Sequence, residues 1–260
     1  MWRVPDGVWV NAAGRVRGIE GNMREPALMI SGNLGIALKI FEDAVRGGVK
    51  RVVNFGSTCA YSPRSGVPFR VEDYLEGEPA GTNGAYAWAK RMVYVMSRAY
   101  AKQYGMDNLY LVMPNLYGPG NFKHTDGHVI PEMVRKVDRA IVEGGGEVVF
   151  LGSGMAEREF LYVEDAADLV VKAVEEVHSG DPVHLTSGGG TITIRELAGL
   201  LKRLMGYEGE LAWDVTKPDG QMRRLLSPGI THPDPVSFKE GLRKTIESYR
   251  REKVGGGLTK

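Results

Sequence analysis

The 260-residue sequence lacks several features that would each point to a class of protein. Its single cysteine, Cys59, cannot form a disulfide within the chain, so a reducing cytoplasm is the predicted location. No apolar run reaches the roughly 18 residues that a membrane-spanning helix needs, and no signal-peptide pattern follows Met1. The formal net charge is only +1. Neither nucleic acid nor a membrane is therefore expected as a partner.

A second absence concerns phosphate binding. The glycine-rich turn Gly-x-Gly-x-x-Gly, placed between a strand and a helix, occurs nowhere in the sequence. The glycine clusters at 144–146 and 188–190 stand between other elements and predict turns. The histidines and the cysteine have no recognised ligand spacing, so no metal site is predicted. We interpret the carboxylates of Glu157, Glu159, Glu164 and Asp165 as surface and cap residues.

What the sequence does have is a tyrosine and a lysine four residues apart in a helical run over 86–104. This spacing places Tyr86 and Lys90 on one face of a helix, one turn apart. A nearby ammonium favours a phenolate, so we expect Lys90 to lower the pKa of Tyr86. Taken alone, the pair is also typical of an ordinary amphipathic helix. About thirty residues upstream, a buried parallel strand is predicted to end at Ser57.

A serine at a strand end followed by Tyr86 and Lys90 resembles the triad of the extended short-chain dehydrogenase/reductase family, which includes the NAD-dependent epimerases and dehydratases. Within that family, further motifs are similar in order to those of the GDP-L-fucose synthases. These motifs lie at 56–59, 84–92, 115–119, 126–131, 158–165 and 217–220.

The resemblance implies an α/β fold with a Rossmann-like parallel sheet and a smaller C-terminal substrate lobe. Residues 1–150 are expected to form a dinucleotide-binding domain truncated at its N terminus, because 8–10 is similar to the family's fourth strand. Residues 151–254 are expected to form mainly the nucleotide-sugar lobe, interleaved with the first domain. We assign to this lobe a helix at 163–177, a strand at 183–185 and a helix at 193–205. Residues 255–260 are expected to be a disordered tail.

The resemblance also implies an NADP(H)-dependent epimerase and reductase that converts GDP-4-keto-6-deoxymannose, or a close analogue, to GDP-L-fucose. NAD(H) stays open as the alternative cofactor. Ser57 would bind the sugar C4 carbonyl, Tyr86 would protonate its oxygen, and Lys90 would hold the nicotinamide ribose. Cys59 and His128 stand where the family keeps its epimerase pair, and a thiol and an imidazole titrate near working pH, at about 8.5 and 6.5.

The expected ligand sites follow from the same resemblance. The cofactor-binding residues are Ala12, Ala13, Phe55, Gly56, Ser57, Thr58, Tyr86, Lys90, Met113, Pro114, Asn115, Leu116 and His128. The substrate-binding residues are Asn115, Val129, Lys136, Leu151, Arg158 and Lys217. Lys136 stands where the family often has a second arginine.

Two other interpretations are compatible with the sequence. Another nucleotide-sugar 4-epimerase or dehydratase would use the same serine, tyrosine and lysine without needing Cys59 and His128. A non-catalytic subunit would bind the nucleotide sugar and depend on a separate polypeptide for the glycine-rich half, which would also cover the exposed edge at 8–10. In either case the helices at 23–46 and 86–104 are placed to pair in a homodimer, or simply to cover the sheet.

Overall fold

The computed structural model describes residues 6–120, 122, 128–178 and 180–254. The expected disordered tail at 255–260 and two residues of the 126–131 motif lie outside this range. The strands are β1 Val8–Val10, β2 Arg51–Phe55, β3 Leu109–Val112, β4 Asn115–Tyr117, β5 Glu147–Leu151, β6 Glu157–Arg158, β7 Phe160–Tyr162, β8 Pro182–Thr186, β9 Ile192–Thr193, β10 Glu210–Asp214, β11 Arg223–Arg224 and β12 Ile230–Thr231. The α-helices are α1 Ile19–Arg24, α2 Pro26–Arg46, α3 Gly84–Tyr104, α4 Val129–Val142, α5 Val163–Glu176, α6 Ile194–Met205 and α7 Phe238–Val254.

The central sheet has the order β1-β2-β3-β8-β12, and all its neighbouring strands are parallel. β3 is apolar and wholly buried, as expected for a strand covered by helices on both faces. β1 forms one edge of the described sheet, with Trp9 and Val10 exposed by 40% and 37%. The predicted α/β fold with a parallel sheet is confirmed.

The assignment of the helix at 163–177 and the strand at 183–185 to the smaller lobe is wrong. β8 pairs with β3 in the central sheet. α5 packs through Ala166 and Leu169 into the same core cluster as Leu109 and Leu111. A helix followed by an apolar strand is the pattern of a parallel crossover connection. The sheet that such a strand joins depends on the strand with which it pairs, and the local pattern does not identify that strand.

Two helices cover the opposite face of the sheet, α2 and α3. The helix expected over 23–46 is divided at Glu25, because Pro26 begins α2 and a residue before proline is disfavoured in helical geometry. α3 ends at Gly105, whose φ of 66° gives a left-handed cap. None of the helices in the described residues combines the length and the apolar character needed to cross a membrane.

The smaller lobe packs α4, α6 and α7 around one apolar cluster with β5. β5 pairs with β10, and β6 lies between β9 and β11. α6 begins with a capping box, in which the Thr193 side chain accepts from Glu196 N at 3.1 Å and Glu196 accepts from Thr193 N at 2.9 Å. The sequence predicts a cap for this helix at Thr191 or Thr193, and the structure shows that it is Thr193.

Candidate functional site

Three of the predicted cofactor segments meet at one edge of the central sheet. They follow β1, β2 and β3, which are adjacent and parallel, so their carboxyl ends lie side by side. Ala12 and Ala13, after β1, are exposed. Their small side chains leave space for a ligand at the carboxyl ends of these strands.

Gly56 determines how the chain leaves β2. A Cβ on this residue would lie 2.8 Å from Tyr110 Cε1 and from Val112 Cγ2, and 2.9 Å from the Tyr74 hydroxyl. Real Cβ atoms do not approach other atoms so closely, so a glycine is required here. The chain can then pass against β3 and present Ser57 at the strand end.

Ser57 begins a short 3-10 turn, Thr58–Ala60. Its Oγ accepts a hydrogen bond from Cys59 N at 3.2 Å. The hydroxyl also lies close enough to the Tyr86 phenol to favour ionisation of that phenol. Ser57, Cys59 and Tyr86 therefore share one small volume, although they come from a turn and a separate helix.

Tyr86 and Lys90 lie on one face of α3, as their spacing predicts. Lys90 Nζ is 5.6 Å from the centroid of the Tyr86 ring and donates to the Phe55 carbonyl at 2.9 Å. Burial lowers the pKa of Lys90 to about 8. Its hydrogen bond to Phe55 uses one of its three donors, and the other two can serve hydroxyl groups of a ligand.

The expectation that Lys90 lowers the pKa of Tyr86 is wrong. Burial raises the pKa of Tyr86 well above its usual range, with smaller contributions from Cys59 and Tyr74, and the opposing effect of Ser57 is not enough to reverse the shift. The loss of solvation therefore exceeds any effect of Lys90. Tyr86 holds its proton at neutral pH and can donate it.

Cys59 is half-buried and its Sγ accepts from two side chains. Arg224 Nη1 lies at 3.0 Å and Asn83 Nδ2 at 3.4 Å. Burial alone would raise the pKa of the thiol, but Arg224, Ser57, Asn83 and Arg158 together outweigh burial, and the resulting pKa is below the usual value. The site therefore favours a thiolate.

Arg158 is the predicted substrate-binding residue that the structure brings to Cys59. It lies on β6 in register with Arg224 on β11, and its Nη1 donates to the Glu157 carbonyl at 2.7 Å. Burial, and then the charge of Arg224, lower the pKa of Arg158 to about 10. Sequence reasoning did not find Arg224, although it stands just after the 217–220 motif.

His128 lies elsewhere at the site, immediately before α4. It lines a cavity of about 160 Å³ together with Leu116, Gly118 and Pro119. Protein atoms around the imidazole lower the pKa of His128 through loss of solvation, although the side chain still reaches solvent. The structure therefore places His128 beside the predicted cofactor residue Leu116, while Cys59 lies beside Tyr86.

The remaining predicted substrate residues lie mainly on the smaller lobe. Val129 packs against its core, and Lys136 donates to the Val149 carbonyl at 3.0 Å. Leu151 is exposed at the end of β5, and Lys217 is exposed three residues after β10, the strand paired with β5. These two residues therefore lie at the same end of the small sheet.

Asn115 links the two lobes. β4 pairs with β7, and the Asn115 amide nitrogen Nδ2 donates to the Glu159 carbonyl at 3.0 Å.

Glu159 and Asp165 are only 1% and 4% exposed, so the interpretation of both as surface residues is wrong. The Glu159 carboxylate accepts from Ser187 N at 2.8 Å and Leu226 N at 3.4 Å, but burial outweighs these bonds and raises the pKa of Glu159.

Comparisons with known proteins cover most of the chain. A model of the NAD dependent epimerase/dehydratase family matches residues 4–186. The chain is 37% identical to GDP-L-fucose synthase 1 of Arabidopsis thaliana over 243 residues, which is 92% of this chain and 75% of that protein. It is 34% identical to GDP-L-fucose synthase of Escherichia coli (strain K12) over 251 residues, 92% of this chain and 78% of that protein.

A solved structure shows the same similarity in three dimensions. The crystal structure of a GDP-L-fucose synthetase from Naegleria fowleri bound to NADP superposes with a TM-score of 0.83 at 27% identity. The superposition covers 95% of this chain and 77% of that chain. The similarity therefore extends over both lobes.

Proposed function

The chain belongs to the NAD dependent epimerase/dehydratase family, and from that membership we propose that it is a nucleotide-sugar epimerase/reductase acting on GDP-4-keto-6-deoxymannose or a close analogue. It is an NAD(P)-dependent enzyme, and NADP(H) is its cofactor. The observation that carries the proposal is the position of Cys59. The thiol of Cys59, whose pKa is below its usual value, lies in the same small volume as Ser57 and Tyr86.

The residues at the strand ends fit a nicotinamide cofactor. The exposed alanines after β1 leave room for a ligand backbone, and Lys90 has donors for ribose hydroxyls. When bound, NADPH supplies a hydride to the ketone carbon. Ser57 donates a hydrogen bond to the ketone oxygen, and Tyr86, which is protonated, donates its proton to that oxygen.

Epimerisation needs a second set of proton-transfer groups. Each carbon beside the ketone must lose a proton from one face and gain one on the other, so two titratable groups are required. We assign these roles to Cys59 and His128. We assign Arg158 and Lys217 to binding of the pyrophosphate and sugar of the nucleotide sugar, where a guanidinium can make two parallel hydrogen bonds.

We propose further that two copies associate through α2 and α3. The supporting observation is the set of large apolar side chains left exposed on these helices, which are Leu28, Leu38, Trp88, Met92 and Val95. A separate polypeptide that pairs with β1 is supported in the same way by exposed Trp9 and Val10. The cytoplasmic location and the division into 1–150 and 151–254 stay predictions.

The function is tested by incubating the purified chain with GDP-4-keto-6-deoxymannose and NADPH in D₂O. We expect GDP-L-fucose that carries solvent deuterium at C3 and C5, detected by mass spectrometry and NMR. Cys59→Ser and His128→Gln should each stop deuterium incorporation at the epimerised carbons and leave ketone reduction measurable. Reduction by the wild type without deuterium incorporation would make it a plain reductase.

A further inference from the structure

The environment of the Cys59 sulfur is built from donors that come from two distant parts of the chain. Arg224 is 5% exposed and its Nε is held by Gln221 Oε1 at 3.2 Å, which orients the guanidinium toward the sulfur. Asn83 is also buried, at the end of the 3-10 turn Gly81–Asn83, and turns its Nδ2 to the same atom. Because both donor side chains are buried, their positions relative to the sulfur are fixed by the packing around them.

The chemistry of these groups favours one protonation state of the sulfur. A guanidinium has N–H donors and no acceptor, so at 3.0 Å from Arg224 the sulfur must accept. A thiolate is a much stronger acceptor than a thiol, and a cationic donor strengthens the bond further. Both contacts would therefore be weakened if the sulfur were protonated.

The charges of the cluster lead to the same conclusion. Arg158 and Arg224 are both buried and lie in register on paired strands. Within the part of the chain that the structure describes, no carboxylate lies at ion-pair distance from Arg224. Asp219 partly offsets the charge of Arg158, but two buried cations side by side stay costly unless Arg224 also has an anion beside it. A thiolate at Cys59 provides that anion.

We propose that Arg224 and Asn83 are positioning residues that hold Cys59 as a thiolate before substrate binds. The proposal rests on the proposed function in assigning that thiolate to proton transfer at the sugar. The other titratable groups facing Cys59 are Tyr74 and Tyr86, and burial raises the pKa of both, so they stay neutral over the range in which the thiol titrates. The arginines are therefore the charges that decide its ionisation.

The test uses the fact that Cys59 is the only cysteine. The rate of its alkylation by iodoacetamide is followed by intact-mass spectrometry between pH 5 and 10, without substrate. We expect a wild-type midpoint below the value of about 8.5 for a free thiol. Arg224→Met should raise this midpoint by one pH unit or more, and so lower the alkylation rate at pH 7 by about tenfold.

Arg223 provides a matched control on the same strand, because its side chain is exposed and pairs with Glu157 at 3.1 Å. Arg223→Met should leave the midpoint unchanged. An unchanged midpoint in Arg224→Met, or an equal shift in both variants, would overturn the proposal. Cys59→Ser, which should not be labelled, verifies that the signal comes from this sulfur.

Two milder variants decide the question if Arg224→Met does not fold, as judged by circular dichroism. Arg224→Lys keeps the charge but loses the planar group, and should give an intermediate midpoint. Asn83→Asp replaces a donor by an anion, and should raise the midpoint. Wild-type midpoints in both folded variants would overturn the proposal.

Because alkylation needs no nucleotide sugar, this test is independent of the proposed function. A shifted midpoint in a chain that incorporates no deuterium would contradict the proposed function and leave this inference standing.

Discussion

Burial sets the charge of the two central residues, Tyr86 and Lys90. Loss of solvation disfavours the charged form of each group, so it raises the pKa of the phenol and lowers the pKa of the ammonium. Their spacing on α3 brings them together but does not determine these shifts.

Removing the Tyr86 hydroxyl should stop the reduction step. Tyr86→Phe keeps the ring and its packing but loses the proton that the ketone oxygen receives, so we expect a fall in kcat of at least about 100-fold. Binding of the nucleotide sugar should stay within a factor of two, measured by calorimetry. Reduction at the wild-type rate would remove Tyr86 from the mechanism.

Lys90 should make the stability of the ligand-free chain depend on alkaline pH. Its pKa is about 8 in the folded chain, against about 10.4 in an unfolded one. Between these values the unfolded state binds more protons, so the free energy of unfolding rises with pH. Urea denaturation from pH 7.5 to 10 should show this rise relative to Lys90→Met, and parallel curves for the two proteins would contradict it.

At the scale of elements, a buried arginine attaches the turn that carries Ser57 and Cys59 to α3. Arg91 is 1% exposed, and its Nε donates to the Ala60 carbonyl at 2.8 Å. The rest of its guanidinium donates to the carbonyls of Leu75, Glu76 and Gly77. This one side chain satisfies backbone acceptors on both sides of a long irregular segment. The relative position of Tyr86 and Cys59 therefore depends on it.

We expect Arg91→Met to reduce the free energy of unfolding by about 3 kcal/mol, because buried carbonyls lose charged donors. Arg98→Met is the matched control on the same helix, since Arg98 is exposed and its described interactions, with the ring of Tyr94 at 5.8 Å and with the Tyr94 hydroxyl, involve no backbone carbonyl. Its effect should be below about 0.5 kcal/mol. Equal losses in thermal or urea denaturation would show that Arg91 has no special role.

In the whole molecule, α2 and α3 present an exposed apolar face, and in a single chain its large side chains would stay in contact with water. Large exposed apolar patches commonly mark interfaces, and pairing of identical faces about a two-fold axis is the commonest arrangement. The face lies on the side of the sheet opposite to α5. A dimer formed through it would leave the smaller lobe of each copy free to bind substrate.

A charge in this face should separate the copies. We expect the wild type to have the mass of a dimer in sedimentation equilibrium and Met92→Glu to shift it to the monomer, because the carboxylate would be buried without a partner. Glu175→Lys changes charge at an exposed position on α5, on the opposite side of the sheet, and should leave the dimer intact. A monomeric wild type would refute the proposed association.

Features that depend on local spacing can be predicted from the sequence alone. The pairing of Tyr86 with Lys90 follows from the period of a helix, and the end of β2 shortly before Ser57 follows from a short apolar run and a glycine. The restriction of the α6 cap to Thr191 or Thr193 and the stop of α3 at Gly105 are likewise local. The ordered motifs also identified the family.

Which distant residues meet, and which residues are buried, depends on how the elements pack in three dimensions. Arg224 lies 165 positions from Cys59 in the sequence, yet donates to its sulfur. β8 joins the central sheet because its hydrogen-bonding partner is β3, and no local pattern names a partner. Burial of Glu159 and the raised pKa of Tyr86 arise in the same way. Spacing along the chain fixes the face on which a side chain lies, whereas its neighbours and solvation are set by packing between elements far apart in sequence.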